Sequence, residues 1–329
     1  MRKEIKLDII CCPECHSRLE TKRGNKLFCP QCQKNFLIKD NIPSFINQGD
    51  NFYEGRFMDI LEGEEKFTNP VLKKLYNFYT LIAITHSRER FLKKILKGKN
   101  NLLVLDLGCG GGRKYLTQFG RVVGIDISLQ SLKKAKKVYD MVVQADILKL
   151  PFHNETFDLV VSTDVIGHIP IKNKDKLISE IYRVTKKGGY SAHSIECDSE
   201  SLIYRWAKSF PDLYQKYFIE MYGHCGLELP GKVFERFRRV GFSPIIEKAD
   251  PCKGYLRPIE SYVVFFNNEY KEKSLLIKIL VTFCKLIAKK RLIRYLFNFI
   301  LGLFIPLADL ITPLNHRDSV KVYYLKTIS

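Results

Sequence analysis

The segment Leu103–Gly112, with sequence LVLDLGCGGG, constrains the fold of this chain more than any other. An apolar run ends in Asp106, and three glycines follow at alternate positions: Gly108, Gly110 and Gly112. This order predicts a buried parallel strand, a tight turn and a helix, with backbone that can approach a ligand closely because glycine has no Cβ. A second apolar strand ends in Asp126, whose carboxylate could accept hydrogen bonds from both hydroxyls of a ribose.

The residue after the third glycine distinguishes between two classes of ligand. A dinucleotide-binding loop would need its third glycine where this chain has Arg113. The spacing D-x-G-x-G-x-G instead resembles the S-adenosylmethionine loop of class I methyltransferases. The alternative is a glycine-rich structural turn that binds nothing.

A longer resemblance runs from Leu102 to Gly189. This part is similar to the large methyltransferase family that includes quinone-biosynthesis C-methyltransferases and many small-molecule methylases. The matching segments are LDLGCGGG, VVGIDIS, QADILKLPF, FDLVVSTDVIGHI and EIYRVTKKGG. The resemblance, with alternating strand and helix patterns, predicts an α/β fold with a Rossmann-like, doubly wound methyltransferase sheet.

The resemblance also implies the cofactor contacts of several residues. Asp106 and the three glycines would lie against the methionine part of S-adenosylmethionine. Asp126 would bind the ribose, and Ile127 would pack against the adenine. Asp146 would reach the adenine amino group, next to Ile147; its alternative role is a loop carboxylate that caps a helix.

The fourth predicted strand ends in Thr163 and Asp164, where the resemblance places the transferred methyl group. A sulfonium methyl is strongly electrophilic, so alignment in a dry pocket provides most of the catalysis. A general base is needed only when the acceptor must lose a proton. His168 follows this strand directly and is the best-placed candidate base, with a structural histidine as the alternative. Asp164 is the second catalytic candidate, and Gly167 departs from the glutamate or alanine that is common there.

Two identical cysteine motifs near the N-terminus indicate a metal site. Cys12 and Cys15 form one CPxC motif, and Cys29 and Cys32 form the other. Each motif presents two thiolates on one turn, as a tetrahedral structural zinc requires, and a unit of about forty residues needs such support to fold. Residues 7–46 also resemble the zinc ribbons of the small activating partner of tRNA and protein methyltransferases. The alternative is a pair of reduced turns without metal.

Composition and charge restrict the class of partner and the compartment. The net charge of +19 implies anionic partners: nucleic acid, an acidic membrane surface or a phosphorylated substrate. Ten cysteines in a chain of this length do not suggest a disulfide scaffold, and the apolar part of the start MRKEIKLDII is too short for a signal peptide. We therefore expect a cytoplasmic protein, peripheral on the inner face of the membrane if it binds one.

The sequence divides into five predicted parts. They are a zinc ribbon (1–48), a helical connector (49–98), the methyltransferase domain (99–268), a basic and hydrophobic helical segment (269–315) and a last strand of the sheet (316–329). Within the domain, the predicted strands are Leu102–Leu107, Arg121–Ile127, Met141–Ala145, Leu159–Thr163 and Tyr190–Ile195.

The composition of the segment 269–315 indicates which class of methyl acceptor to expect. Four lysines, Lys271, Lys278, Lys285 and Lys289, fall on one side of a helix. The longest uncharged run of the segment, Tyr295–Ala308, is shorter than the ~20 residues that span a bilayer and is interrupted by Pro306. This pattern predicts a helix pair on an anionic membrane surface and a lipophilic or other small-molecule methyl acceptor. The alternatives are a core-packed pair or a dimer interface, an rRNA or tRNA methyltransferase that binds RNA through its ribbon and basic surface, and a non-catalytic cofactor-binding scaffold. The oligomeric state stays open.

Overall fold

Eleven strands of the described residues join in one mixed sheet. The computed structural model describes residues 7–22, 25–46, 53–54, 70, 87–249 and 258–328. The strands are β1 (Glu20–Lys22), β2 (Lys26–Phe28), β3 (Asn35–Lys39), β4 (Ile42–Ser44), β5 (Leu102–Leu107), β6 (Gly120–Asp126), β7 (Met141–Gln144), β8 (Phe157–Thr163), β9 (Thr185–Glu196), β10 (Phe242–Ala249) and β11 (Ser319–Lys326). Their spatial order is β1-β2-β3-β4-β7-β6-β5-β8-β9-β11-β10.

The centre of the sheet is parallel, since β5 pairs with both β6 and β8, β6 with β7, and β8 with β9. Strand order reverses between β5 and β8, so this is a doubly wound sheet whose ligand side is the edge where the parallel strands end. The predicted Rossmann-like α/β sheet is therefore confirmed. Each central strand begins and ends within a few residues of its predicted position, except β9, which starts five residues before the predicted Tyr190.

Helices cover both faces of this sheet. The α-helices of the described residues are α1 (Ser87–Ile95), α2 (Leu129–Ala135), α3 (Ile171–Val184), α4 (Leu202–Lys208), α5 (Pro211–Tyr214), α6 (Pro230–Val240), α7 (Ile259–Phe266), α8 (Leu275–Lys289) and α9 (Arg291–Ile311). In α3 the buried residues Leu177, Ile181 and Val184 recur at helical spacing, and they pack with residues of α6 on one face of the sheet. Residues of α1 and α2 form the core on the opposite face.

The cysteine-bearing unit extends the sheet. Its last strand, β4, pairs in parallel with β7 through Ser44 and Gln144, and the Ser44 hydroxyl donates to Gln144 Oε1 at 2.7 Å. A second contact is the bridge between Ile10 and Phe152, both buried in the main core. The unit therefore covers the edge of β7 that would otherwise be open. Most of the predicted helical connector lies outside the described residues, which there comprise 53–54, 70 and 87–98.

The predicted helical segment near the C-terminus is a pair of helices, α8 and α9. The prediction that Pro306 interrupts the apolar stretch is wrong, because α9 runs for 21 residues with Pro306 inside it. A proline removes one N–H bond, and the helix continues on both sides of it here. Among the described residues, α9 is the one helix long and apolar enough to cross a membrane by length and composition, with 22% of its most apolar window buried.

Both ends of this insertion are anchored at one edge of the sheet. Residue Ala249 of β10 pairs with Val320 of β11, and Ser319 pairs with Glu196 at the end of β9. The chain between β10 and β11 therefore leaves and re-enters the sheet beside the carboxyl end of β9. This is the edge at which a doubly wound sheet binds its ligands.

Candidate active site

The glycine loop follows β5 and lies against the end of β6. The φ angle of Gly110 is +52°, and a Cβ built there would meet nothing within 4 Å, so the loop borders open space at this position. Gly108, with φ +57°, has no such room, since its Cβ would lie 2.5 Å from Val165 Cγ2. Both positions need glycine for conformation, and only Gly110 leaves space for a ligand.

Asp126 ends β6 and is held by two backbone donors. The Gly110 N–H donates to its Oδ2 at 2.8 Å, and the Ser128 N–H donates to its Oδ1 at 2.9 Å. Burial raises the pKa of this carboxyl, although these donors oppose the shift. Each oxygen has a further lone pair, so the predicted contact with two ribose hydroxyls fits this geometry.

Asp106 is fully buried at the end of β5 and binds two side chains. Arg113 Nη1 donates to both of its oxygens at 2.7 Å, and the Tyr139 hydroxyl donates to Oδ2 at 2.6 Å. Burial and the Asp106 carboxylate together raise the pKa of Tyr139. Through these two contacts, Asp106 holds the glycine loop in place. Its contact with the methionine part of a cofactor stays a prediction. Neither partner was predicted from the sequence, where the available signal was a basic residue directly after the glycine loop.

The predicted adenine side is formed by the ends of β6 and β7. Gln144 Nε2 donates to the carbonyl of Ile127 at 3.0 Å, which links this position to Ser44 of the cysteine-bearing unit. Asp146 is exposed, and its Oδ1 accepts from Leu148 N–H at 2.9 Å. This contact caps the turn at residues 147–148 and not a helix, and an adenine contact would use Oδ2. Ile147 is partly buried and packs against the main core.

The predicted acceptor side lies where β8 ends. The carbonyl of Thr163 accepts from Arg113 Nη2 at 3.4 Å. Asp164 has a left-handed φ of +55°, and its N–H donates to the Ser194 carbonyl of β9 at 3.1 Å. His168 ends the short 3₁₀ helix Ile166–His168. These residues share the ligand edge of the sheet, and their catalytic roles stay predictions.

His168 belongs to a cluster that sequence analysis did not find. Its Nδ1 lies 3.1 Å from the Gly223 carbonyl, and its Nε2 lies 3.5 Å from Glu196 Oε2. His224 Nε2 approaches the same oxygen at 3.2 Å, and the two imidazole rings are 4.9 Å apart. Burial disfavours the ionised form of Glu196, but its two histidine neighbours lower its pKa. The three residues are far apart in sequence and no motif joins them.

The four predicted zinc ligands lie together. Cys12 Sγ is 3.5 Å from Cys32 Sγ, and Cys15 Sγ is 3.4 Å from Cys29 Sγ. All four sulfur atoms lie within 4.8 Å of one another. A tetrahedral zinc with Zn–S bonds of ~2.3 Å would separate its sulfurs by about 3.8 Å, so the four cysteines fit this ion.

Comparison with known proteins agrees with this geometry. The methyltransferase domain family matches residues 105–192. An uncharacterized protein of Methanocaldococcus jannaschii is 40% identical over 134 residues, which are 40% of this chain and 56% of that protein. The tRNA (carboxymethyluridine(34)-5-O)-methyltransferase of Arabidopsis thaliana is 28% identical over 190 residues, 53% of this chain and 47% of that protein. The sterol 24-C-methyltransferase of Candida albicans is 31% identical over 117 residues, 32% of this chain and 31% of that protein.

The chain spans about half the length of the first of these relatives. The glycine loop, Asp126 and His168 all fall within the matched residues 105–192. Residues 105–192 are therefore similar to the methyltransferase domain family.

Proposed function

We propose that this protein transfers a methyl group from S-adenosylmethionine to a lipophilic acceptor at an anionic membrane surface. The observation that carries the membrane part is the apolar surface of α8 and α9, which the rest of the chain leaves uncovered among the described residues. The cofactor would bind at the glycine loop and Asp126. The acceptor would enter at the ends of β8 and β9, where Thr163, Asp164 and His168 lie. Cys12, Cys15, Cys29 and Cys32 would hold a structural zinc.

The apolar surface follows the periodicity of both helices. On α8 the large side chains of Leu276, Phe283 and Leu286 are 50% to 77% exposed. On α9, Leu303 and Leu307 belong to a similar stripe, which also contains Leu296, Ile300 and Leu310. A core-packed pair would bury these residues, and an exposed apolar area of this kind is typical of a surface that meets a membrane or a protein.

The topology favours lying on a membrane over crossing it. Both ends of the 250–318 insertion return to neighbouring strands of one sheet. If α9 crossed, α8 would have to cross as well, and its 15 residues extend about 22 Å, less than the ~30 Å of hydrocarbon. The anchored edge is also the ligand edge, so a bound membrane would lie close to the acceptor side.

The cations between the two helices fit an anionic surface. Lys285, Lys289, Lys290 and Arg291 are exposed around the turn that joins α8 to α9. Each such cation contributes about 1 kcal/mol near an acidic leaflet. Two other cations of the segment are engaged within the protein, since Lys278 pairs with Glu272 at 3.2 Å and Arg294 pairs with Glu260 at 3.4 Å.

An RNA acceptor is the second candidate. The observation that favours it is the net charge of +19 together with the similarity to a relative named as a tRNA methyltransferase. Phosphate contacts would use the basic surface. The similarity to a sterol methyltransferase supports a lipophilic acceptor to the same extent, so the uncovered apolar surface decides our preference.

Two experiments test the proposal. Purified protein with labelled S-adenosylmethionine should label the lipid fraction of a cell extract. Label in the RNA fraction would show that the acceptor is RNA and not a lipophilic molecule.

Sedimentation with anionic vesicles tests the membrane part. The vesicles should bind the protein, and the double variant Leu276→Glu with Leu307→Glu should bind less. The matched control is Leu202→Glu on α4, which is equally exposed at 62% but lies outside the helix pair. Equal binding of all three proteins would refute the membrane part.

A further inference from the structure

Three side chains from separate parts of the chain converge on one point near the ligand edge. His168 follows β8, Glu196 ends β9, and His224 lies in the loop before α6. Each histidine has its Nδ1 within hydrogen-bond distance of a backbone carbonyl, that of Gly223 at 3.1 Å or that of Phe218 at 3.0 Å. A ring whose Nδ1–H is donated in this way carries its lone pair on Nε2, the arrangement that metal-binding histidines usually have.

Both Nε2 atoms point at the same carboxylate oxygen. Glu196 Oε2 and His224 Nε2 are buried, and neither has a well-aligned hydrogen bond with a described residue. Their separation is 3.2 Å, and His168 Nε2 lies 3.5 Å from the same oxygen. Charge-assisted hydrogen bonds are shorter, about 2.8 Å. Two ligand atoms that each lie ~2.1 Å from one metal ion are separated by about 3.0–3.4 Å, which agrees better with these distances.

We infer that His168, Glu196 and His224 form a binding site for a divalent transition-metal ion. Two imidazoles and one carboxylate suit manganese, iron, cobalt or zinc better than magnesium or calcium, which prefer oxygen ligands throughout. Three protein ligands leave coordination positions open. This site is separate from the four-cysteine cluster. The four sulfur atoms there would fill the coordination of a tetrahedral ion.

The absence of a side chain at Gly167 leaves space for the Glu196 side chain. A Cβ at this position would lie 3.2 Å from Glu196 Cβ and 3.3 Å from Glu196 Oε2. A larger side chain there would have to displace the carboxylate from the two histidines. The departure at Gly167 noted in the sequence therefore coincides with the space that Glu196 occupies.

An ion at this site would lie close to the proposed methyl acceptor. Glu196 ends β9, and His168 follows β8, so the cluster lies at the edge where the proposed methyl acceptor enters. The open positions would take an oxygen atom of that acceptor, which points to a hydroxyl-bearing molecule. This last step rests on the proposed function, whereas the metal site itself does not.

The test uses the full chain with its four cysteines loaded with zinc, and Mn²⁺ as the probe. Mn²⁺ disfavours thiolate ligands, so the cysteine cluster does not compete. Electron paramagnetic resonance should show one bound Mn²⁺ per chain, with nitrogen hyperfine couplings from histidine. Glu196→Gln and His224→Ala should each weaken binding at least about tenfold. His153→Ala is the control, because His153 precedes β8 and lies at the opposite edge of the sheet.

Each variant should still bind S-adenosylhomocysteine as the unchanged protein does, which shows that it folds. Absence of nitrogen-coupled Mn²⁺ in the unchanged protein would overturn the inference, as would equal affinity in the Glu196 and His224 variants. The measurement needs neither acceptor nor methyl transfer. A failure of the proposed methyltransferase activity is therefore distinguishable from a failure of the metal site.

Discussion

The guanidinium of Arg113 lies on the carboxylate of Asp106, with Nη1 2.7 Å from both oxygens. Asp106 is completely buried, and Arg113 is 22% exposed at its side chain. The arginine therefore neutralises a charge at the end of β5 and fastens the loop that follows. A dinucleotide-binding loop has glycine at this position. A glycine at position 113 would leave Asp106 without its charged partner.

Replacement of this arginine should destabilise the domain. In Arg113→Ala the buried carboxylate keeps Tyr139 but loses its charged partner, which costs about 3–5 kcal/mol when such a pair is broken. Urea denaturation should show this loss of unfolding free energy. The control Arg121→Ala removes an exposed arginine from β6 and should change stability little. Equal stabilities of the two variants would contradict a structural role for the Asp106–Arg113 pair.

Asp126 should control affinity for the cofactor. Asp126→Ala removes the acceptor of two ribose hydroxyls and leaves them unpaired in a buried site, at a cost of about 1–3 kcal/mol. Calorimetry with S-adenosylhomocysteine should show affinity at least about tenfold lower, and Asp212→Ala on the surface of α5 serves as the matched control. Unchanged affinity in Asp126→Ala would disprove the ribose assignment.

The four-cysteine cluster should hold one zinc ion per chain. Elemental analysis should find at least this one equivalent, and serine at any of Cys12, Cys15, Cys29 or Cys32 should lower the zinc content by one equivalent. Cys11→Ala, next to the first ligand but outside the cluster, should retain the ion. Because β4 pairs with β7 and Ser44 contacts Gln144 beside Ile127, loss of zinc should also weaken cofactor binding. Normal cofactor affinity without zinc would show that cofactor binding does not depend on this unit.

A histidine away from these sites should make stability depend on pH. His193 is 1% exposed in β9, between the hydroxyls of Ser162 and Ser191, and burial lowers its pKa from 6.5 to about 3. The unfolded chain binds a proton below about pH 6.5 that the folded chain does not bind until about pH 3. Stability is therefore greatest above pH 6.5 and falls as the pH decreases, by about 2 kcal/mol at pH 5 from this residue.

The variant His193→Asn isolates this effect. Asparagine does not bind a proton in this range. Between pH 7 and pH 5, the loss of unfolding free energy should therefore be about 2 kcal/mol smaller in the variant than in the unchanged protein. Urea denaturation of both proteins at the two pH values measures the difference. Equal losses in the two proteins would show that His193 is protonated in the folded state.

The sheet and the cofactor loop were predictable because their signals are local. Apolar runs that end in Asp106 and Asp126 define β5 and β6 directly, and glycine spacing defines the loop between them. The four cysteines were likewise predictable as a group, since each pair lies on one turn. Contacts that depend on the tertiary fold have no such signal: nothing near Glu196 or His224 in the sequence indicates that the two meet.

The docking of the cysteine-bearing unit was missed for the same reason. Ser44 and Gln144 are separated by 100 residues and belong to parts that look independent in composition. The extent of α9 was also misjudged, because charge-free length was used as a measure of helix length. A helix can begin in cations such as Arg291 and continue through Pro306, and only the folded chain shows where it ends.

The place of β11 between β9 and β10 has a consequence for biosynthesis. During translation, residues 250–318 leave the ribosome before β11 does, so the exposed apolar side chains of α8 and α9 appear while β9 and β10 still lack their shared neighbour. Unpaired strand edges and uncovered apolar helices are both prone to aggregation. The nascent chain is therefore most vulnerable in this interval, and a chain interrupted there would be a substrate for chaperones or proteases instead of a smaller folded protein.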